Sequence, residues 1–222
     1  MYACVYQSVL LTFTPFPLVV EAHNAASRVG QQIGDTMYSC INLGLGILTG
    51  YMSGRLLVDL RKDVHKVVLD ALQQSLGYAY RLALFHVMVC VLMEGEQMMD
   101  VETIDTIPGQ QRILDWAQAG KSVDVLLLST RITWLIRTVL FRRFDDPLLI
   151  EHVESHMLSE QKIQLIVHVI MGIFAEGLLA FALAKQANDE LRHSLWMAKG
   201  EIALKKLCLW NEHCPRNFQN KV

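Results

Sequence analysis

The chain has 222 residues, 52% of them hydrophobic and 19% charged, with only 5 prolines and 13 glycines. That balance excludes a disordered, collagen-like or low-complexity polymer, each of which needs the opposite composition. Lys and Arg total 20 against 22 Asp and Glu, a formal net charge of -2, without the basic excess that phosphate neutralisation demands of a general nucleic-acid binder.

The opening segment MYACVYQSVLLTFTPFPLVV is apolar enough to resemble a signal peptide. No Lys or Arg precedes Arg28, so the charged leader of such a signal is missing. The other reading is a chain start cut into the middle of a helical protein. From Pro17 onward the hydrophobic period is helical nearly everywhere, with no strand-like alternation bounded by turn dipeptides. Pro17 opens a first helix to about Gln32, with Val20, Ala22, Ala25, Ala26, Val29 and Ile33 available for burial. Gly34 and Asp35 then break the helix. Gly supplies a left-handed exit, and Asp caps the next helix by accepting from its free N–H groups. That second helix runs from about Thr36 to Met52 through Tyr38, Cys40, Leu43, Leu45 and Leu48. Gly44, Gly46 and Gly50 permit close helix approach, at a cost of about 1 kcal/mol each relative to Ala.

Ser53 and Gly54 end the second helix. Residues 55–75 are amphipathic, with Leu56, Leu57, Leu60, Val64, Val67, Val68 and Leu72 as the inner stripe. Further helices are expected over 77–93, 108–118, 121–143 and 147–158, with a polar loop at 94–107. An apolar helix over 160–186 follows, then one over 188–210 with charges along one side. Cys214, Pro215 and Arg216 break the chain, and 216–222 reads as the opening of a further helix with no body.

Residues 163–184 would span roughly 33 Å at ~1.5 Å per residue, enough to cross a bilayer. Glu176 and His168 lie inside that segment, and a charge near the bilayer centre costs about 2.5–3.5 kcal/mol. The alternative to a membrane span is a core helix of a soluble protein, with Glu176 and His168 on its exposed or paired edge.

Motifs that carry chemistry are sparse. There is no phosphate-binding glycine loop, no nucleophile elbow, no H-E-x-x-H pair and no kinase catalytic loop. The 5 cysteines (Cys4, Cys40, Cys90, Cys208 and Cys214) do not read as a disulfide framework. Cys40 and Cys90 lie in apolar helical stretches, as core thiols do. Cys208, His213 and Cys214 lack a second pair at zinc spacing. His152 and His156 share a helix face among Asp145, Asp146, Glu151, Glu154 and Glu160. A metal site is geometrically open there, and a solvated helix face accounts for the same residues. No catalytic, cofactor-binding or metal-ligating residue is expected.

Several landmarks do line up in order. Gly34-Asp35 precedes Met37-Tyr38-Ser39, and Tyr51-Met52-Ser53-Gly54-Arg55-Leu56-Leu57 follows. Near the end stands Lys205-Lys206-Leu207, then Trp210-Asn211-Glu212-His213-Cys214-Pro215-Arg216-Asn217-Phe218. Over about residues 14–222 this resembles the helical, tetratricopeptide-like region of very large predicted-ATPase signalling proteins. In that family the region follows a P-loop ATPase that is often preceded by a protein-kinase-like domain, and GAF and histidine-kinase modules often come after it. No such neighbour falls within these residues.

The resemblance implies an all-α fold of antiparallel helix pairs stacked as a tetratricopeptide-like solenoid. Residues 1–13 are unassigned, and 14–222 form one helical-repeat domain truncated at both ends. The implied function is a non-catalytic scaffold or regulatory segment. It contacts a protein partner or neighbouring domains of a larger chain, in the cytoplasm. A membrane protein spanning at 163–184 is the other reading. In the implied structural motif, Gly34 and Gly54 stop helices beside Asp35 and Ser53. Trp210 and Phe218 anchor packing, and Pro215 turns the chain amid His213, Cys214 and Asn217. Apolar end faces cut from their neighbours would make the isolated chain self-associate.

Overall fold

The computed structural model describes residues 10–74, 132, 135–144, 150 and 167–222. Among these, 83% are helical and none lies in a strand, so the fold class is all-α. After a short 3-10 turn at Leu10–Thr12 come α1 (Phe16–Gln32), α2 (Thr36–Met52) and α3 (Leu57–Gln74). Later in the chain come α4 (Val167–Gln186), α5 (Glu190–His213) and the one-turn α6 (Pro215–Phe218). Residues 135–140 are also helical. The helices expected over 77–93, 108–118 and 147–158 fall outside the described residues, apart from Ile150, as do Cys4, Cys90 and the acidic, histidine-containing segment 151–160.

Helix ends follow from local chemistry. Asp35 caps α2, its Oδ1 accepting from Tyr38 N at 2.9 Å. Asp189 caps α5 in the same way, accepting from Arg192 N at 2.8 Å. Each carboxylate satisfies one of the first-turn donors that have no partner inside the helix. At the other end of α2, Gly54 N donates to Tyr51 O and Arg55 N to Gly50 O. That pair of bonds makes a Schellman motif, and it requires the left-handed backbone that Gly54 adopts at φ 83°. Gly34 does the same for α1 at φ 77°, its N donating to Gln31 O.

Consecutive helices form antiparallel pairs. On α1 and α2, Gly30 meets Ser39, His23 meets Asn42, and Val20 and His23 approach Gly46. The partner number falls as the other rises. The same descending register joins α4 to α5, where Gly177 faces Ala203, Phe181 faces Gly200, and Ala184 meets His193. α3 packs on α2, and α2 also touches α4. The core gathers Val19, Ile47, Leu60, Val64, Val68, Ile170, Leu179, Ala203 and Phe218, each at most 4% exposed.

α1 buries a face about a third of a turn from the one its apolar residues suggest. Phe16, Val19, His23, Ser27 and Gly30 are buried, while Ala25, Val29 and Ile33 are exposed. The reason is distance. A Cβ on Gly30 would sit 2.9 Å from Ser39 N, so the helices approach where Gly30 lies. His23 and Ser27 enter with it because partners await them on α2. Leu56, expected on the inner stripe of α3, precedes the helix and is 71% exposed. Leu60, Val64, Val67 and Val68 do form the buried face. On α5, apolar and charged residues are distributed all round the axis instead of along separate sides.

Candidate functional site

Two clusters of buried polar side chains stand out. The first is a seam between α1 and α2. His23 and Asn42 are fully buried, and His23 Nδ1 lies 3.0 Å from Asn42 Oδ1. Asn42 Nδ2 donates to Tyr38 O at 2.9 Å, which fixes the amide so that its oxygen faces the imidazole. The His23 nitrogen is therefore the donor. One turn away, Ser27 Oγ and Ser39 Oγ are 2.9 Å apart and also buried. Burial holds the His23 pKa below its ordinary value, partly offset by the bond to Asn42. Cys40 lies on the other side of α2, its Sγ 3.9 Å from Val67 O. Burial, with the Asp70 charge, raises that thiol to about 11, which makes it a poor nucleophile at neutral pH.

The second cluster joins residues some two hundred apart in sequence. Asn217 is buried on α6. Its Oδ1 accepts from Phe16 N at 2.8 Å, and its Nδ2 donates to Leu11 O at 3.1 Å and Thr14 O at 2.8 Å. Phe16 is the first residue of α1, where the backbone N–H has no partner inside the helix. Pro15, at the cap position, has no side-chain bond to give, and Pro17 has no N–H. Asn217 thus caps α1 from another helix. Around it, Phe218 packs edge-on against Phe16 with centroids 5.9 Å apart, and Trp210 lies 5.6 Å from Phe218. His213 rests on Phe13 at 4.9 Å. Cys214 is buried, ends α5 and begins α6, with Pro215 at the first helical position. Lys221 Nζ donates to Asn217 O at 2.9 Å and to Asn220 Oδ1 at 2.8 Å, and its burial lowers its pKa.

The structure therefore brings Trp210, His213, Cys214, Pro215, Asn217 and Phe218 into one clasp. It leaves Gly34 and Asp35 at the α1–α2 corner, and Ser53 and Gly54 at the α2–α3 corner. Ser53 Oγ donates to Gly50 O at 2.8 Å there. Segment 216–222 was expected to be a stub with nothing to pack on, but Phe218 is fully buried. Leu11 and Thr12, within the segment without an assignment, are buried too. The partners missed from sequence are Leu11, Thr14, His23, Ser27, Ser39 and Asn42. The seam had a signal: Phe16, Val19, His23 and Ser27 recur at intervals of three, four and four, and Ser39, Asn42 and Gly46 recur at three and four. The clasp partners had none, because no local period links residues that far apart.

Among the described residues no group of three His, Cys, Asp or Glu side chains is placed to hold a metal ion. Glu176 of α4 is 1% exposed and engaged in a polar or electrostatic interaction, so it sits on no exposed edge. No protein-family model, no curated protein and no solved structure matches the chain.

Proposed function

We propose that this chain is a non-catalytic helical scaffold or regulatory segment. Its helix pairs stack in the tetratricopeptide-like manner, and it acts through protein–protein contacts or contacts with neighbouring domains in the cytoplasm. The observation that carries the reading is the two-sided surface of α5. Trp196, Ala203 and Leu207 bury one face, while Leu191 at 82% exposure, Leu195, Ala198 and Leu209 line another. Leu191, Leu195 and Ala198 follow a helical spacing, with Leu209 about three turns further along the same side beyond the half-buried Ile202, an apolar surface of the sort that stacked-helix proteins use to hold a partner. The buried polar groups of the seam and the clasp are spent on joining helices, which suits a scaffold. A role beside ATPase and sensor domains of signalling proteins follows from the landmark residues 34–57 and 205–218 alone.

A membrane protein is the second reading, and one observation favours it. Val169–Gln186 is long and apolar enough to cross a bilayer, with a mean hydropathy of 1.5, although 67% of it is buried within the protein. The test is a carbonate wash of cell fractions, followed by partner recovery with the wild type and with Leu191→Lys/Leu195→Lys. The scaffold reading expects the chain in the wash and a protein partner lost with the double variant. Retention in the washed pellet would establish the membrane reading instead.

A further inference from the structure

The outer face of α1 carries a pattern that complements itself. Leu18, Ala22, Ala25, Val29 and Ile33 succeed one another at intervals of four, three, four and four, about a third of a turn round the axis from the face that packs on α2, with Ala22 half-buried. Leu18 is 52% exposed, Val29 51% and Ile33 71%. The bulky residues stand at the two ends, and Ala22, Ala25 and Ala26 occupy the middle, where small side chains let helix axes come within ~8 Å. Beside this stripe, on one flank, lie the exposed Glu21 and Arg28, seven residues apart. Their midpoint falls between Asn24 and Ala25, within one residue of the middle of the stripe.

We propose that α1 is a homodimerisation face, pairing antiparallel with α1 of a second copy about a two-fold axis near Ala25. Glu21 of each copy then meets Arg28 of the other. Three features select this occupant. An antiparallel two-fold sets like flanks of two helices side by side, so a flank bearing one acid and one base equidistant from the axis neutralises itself twice. The alanines fall at the crossing point, where close approach is needed. α5, the other helix with an exposed apolar ridge, fails the same construction. Its ridge is centred on Gly200, which would set Arg192 and Lys206 of one copy opposite Cys208 and Ser194 of the other, with no acid for either base. The α1 contact is a surface for a second copy of this chain, separate from the α5 ridge proposed to hold other proteins.

The stripe is about 22 Å long and lies at the small end of specific interfaces, so sedimentation of the full chain should show a dimer forming at roughly tens of micromolar. Glu21→Arg or Arg28→Glu turns two attractive pairs into two repulsive ones and should weaken the dimer about tenfold. The double swap E21R/R28E should recover wild-type association to within about threefold. Ala25→Cys should give a disulfide-linked dimer under mild oxidation that the wild type does not form. Both charged residues are exposed, so the single variants should keep the wild-type helical circular dichroism. A chain monomeric up to about 200 µM overturns the proposal. So does a dimer unaffected by the single swaps, or one dissociated by Leu195→Lys but not by Glu21→Arg.

Discussion

Replacing Asn217 by Ala tests whether the clasp stabilises the fold or merely closes it. The side chain makes three hydrogen bonds, to Phe16 N, Leu11 O and Thr14 O, at 2.8, 3.1 and 2.8 Å. At about 0.5–1.5 kcal/mol net for each, their loss should destabilise the protein by roughly 3 kcal/mol. For a chain of this size that lowers the melting temperature by about 6–12 °C. Asn217→Asp sharpens the test. It keeps the acceptor for Phe16 N but sets a carboxylate oxygen against two carbonyls, so it should be at least as damaging as Ala. Thermal melts followed by circular dichroism give the ranking, and hydrogen exchange at the Phe16 amide gives the location. Protection of that amide should fall in both variants, and further in the alanine one. If Asn217→Asp melts within about 1 °C of wild type, the amide's two donated bonds do not stabilise the fold, and if Asn217→Ala does so as well, the capping argument fails.

Four further outcomes follow from the seam and its surroundings. Gly30→Ala places a methyl group 2.9 Å from Ser39 N and 3.0 Å from Asp35 O. Backbone cannot yield as a side chain can, so urea titration should show a loss of about 1–3 kcal/mol. Gly34→Ala meets no atom and should lose only about 1–2 kcal/mol, from its positive φ. His23 has a folded pKa below its unfolded value of about 6.5. The unfolded chain therefore binds the extra proton first as pH falls. Stability is complete above that unfolded value and declines below it, so the melting temperature should drop between pH 7.5 and 5.5. His23→Gln should flatten the drop, and an unchanged slope would assign it elsewhere. Cys40, with its thiol at about 11, should react with a disulfide reagent at pH 8 far more slowly in the native protein than in urea, as mass spectrometry of labelled peptides would show.

How much of this was legible in the sequence depended on range. Asp35 and Gly34 act within four residues of their own position, so their roles were readable, and the second helix was bounded correctly at Thr36 and Met52. Gly54 was readable for the same reason. The buried face of α1 was not. Counting apolar residues favours Ala22, Ala25, Val29 and Ile33, whereas the packed face is chosen by how closely α2 can approach and by what His23 and Ser27 find there. Those partners sit on another helix. The Trp210 to Phe218 segment was distinctive in composition, yet its counterpart at Leu11 to Phe16 carries no periodic mark. Only the folded backbone shows that the two meet. Glu176 illustrates the same limit, because an apolar helix with one acid looks identical whether the acid faces water, lipid or a buried partner.

The cap that Asn217 supplies to α1 also imposes a schedule on synthesis. A side chain such as Asp35 is already made when its helix emerges, so α2 can close its first turn at once. α1 must wait for a residue 201 positions later. At about 5–20 residues per second a ribosome needs roughly 10–40 s to reach it. Throughout that interval the Phe16 N–H and the Leu11 and Thr14 carbonyls can be served only by water or by passing chaperones, and Phe16 has no Phe218 to cover it. Although it is translated well before α6, α1 is thus finished only once α6 has been made. Slowing translation, or pausing it before codon 217, lengthens the time for which α1 and the turn before it remain open to other binders.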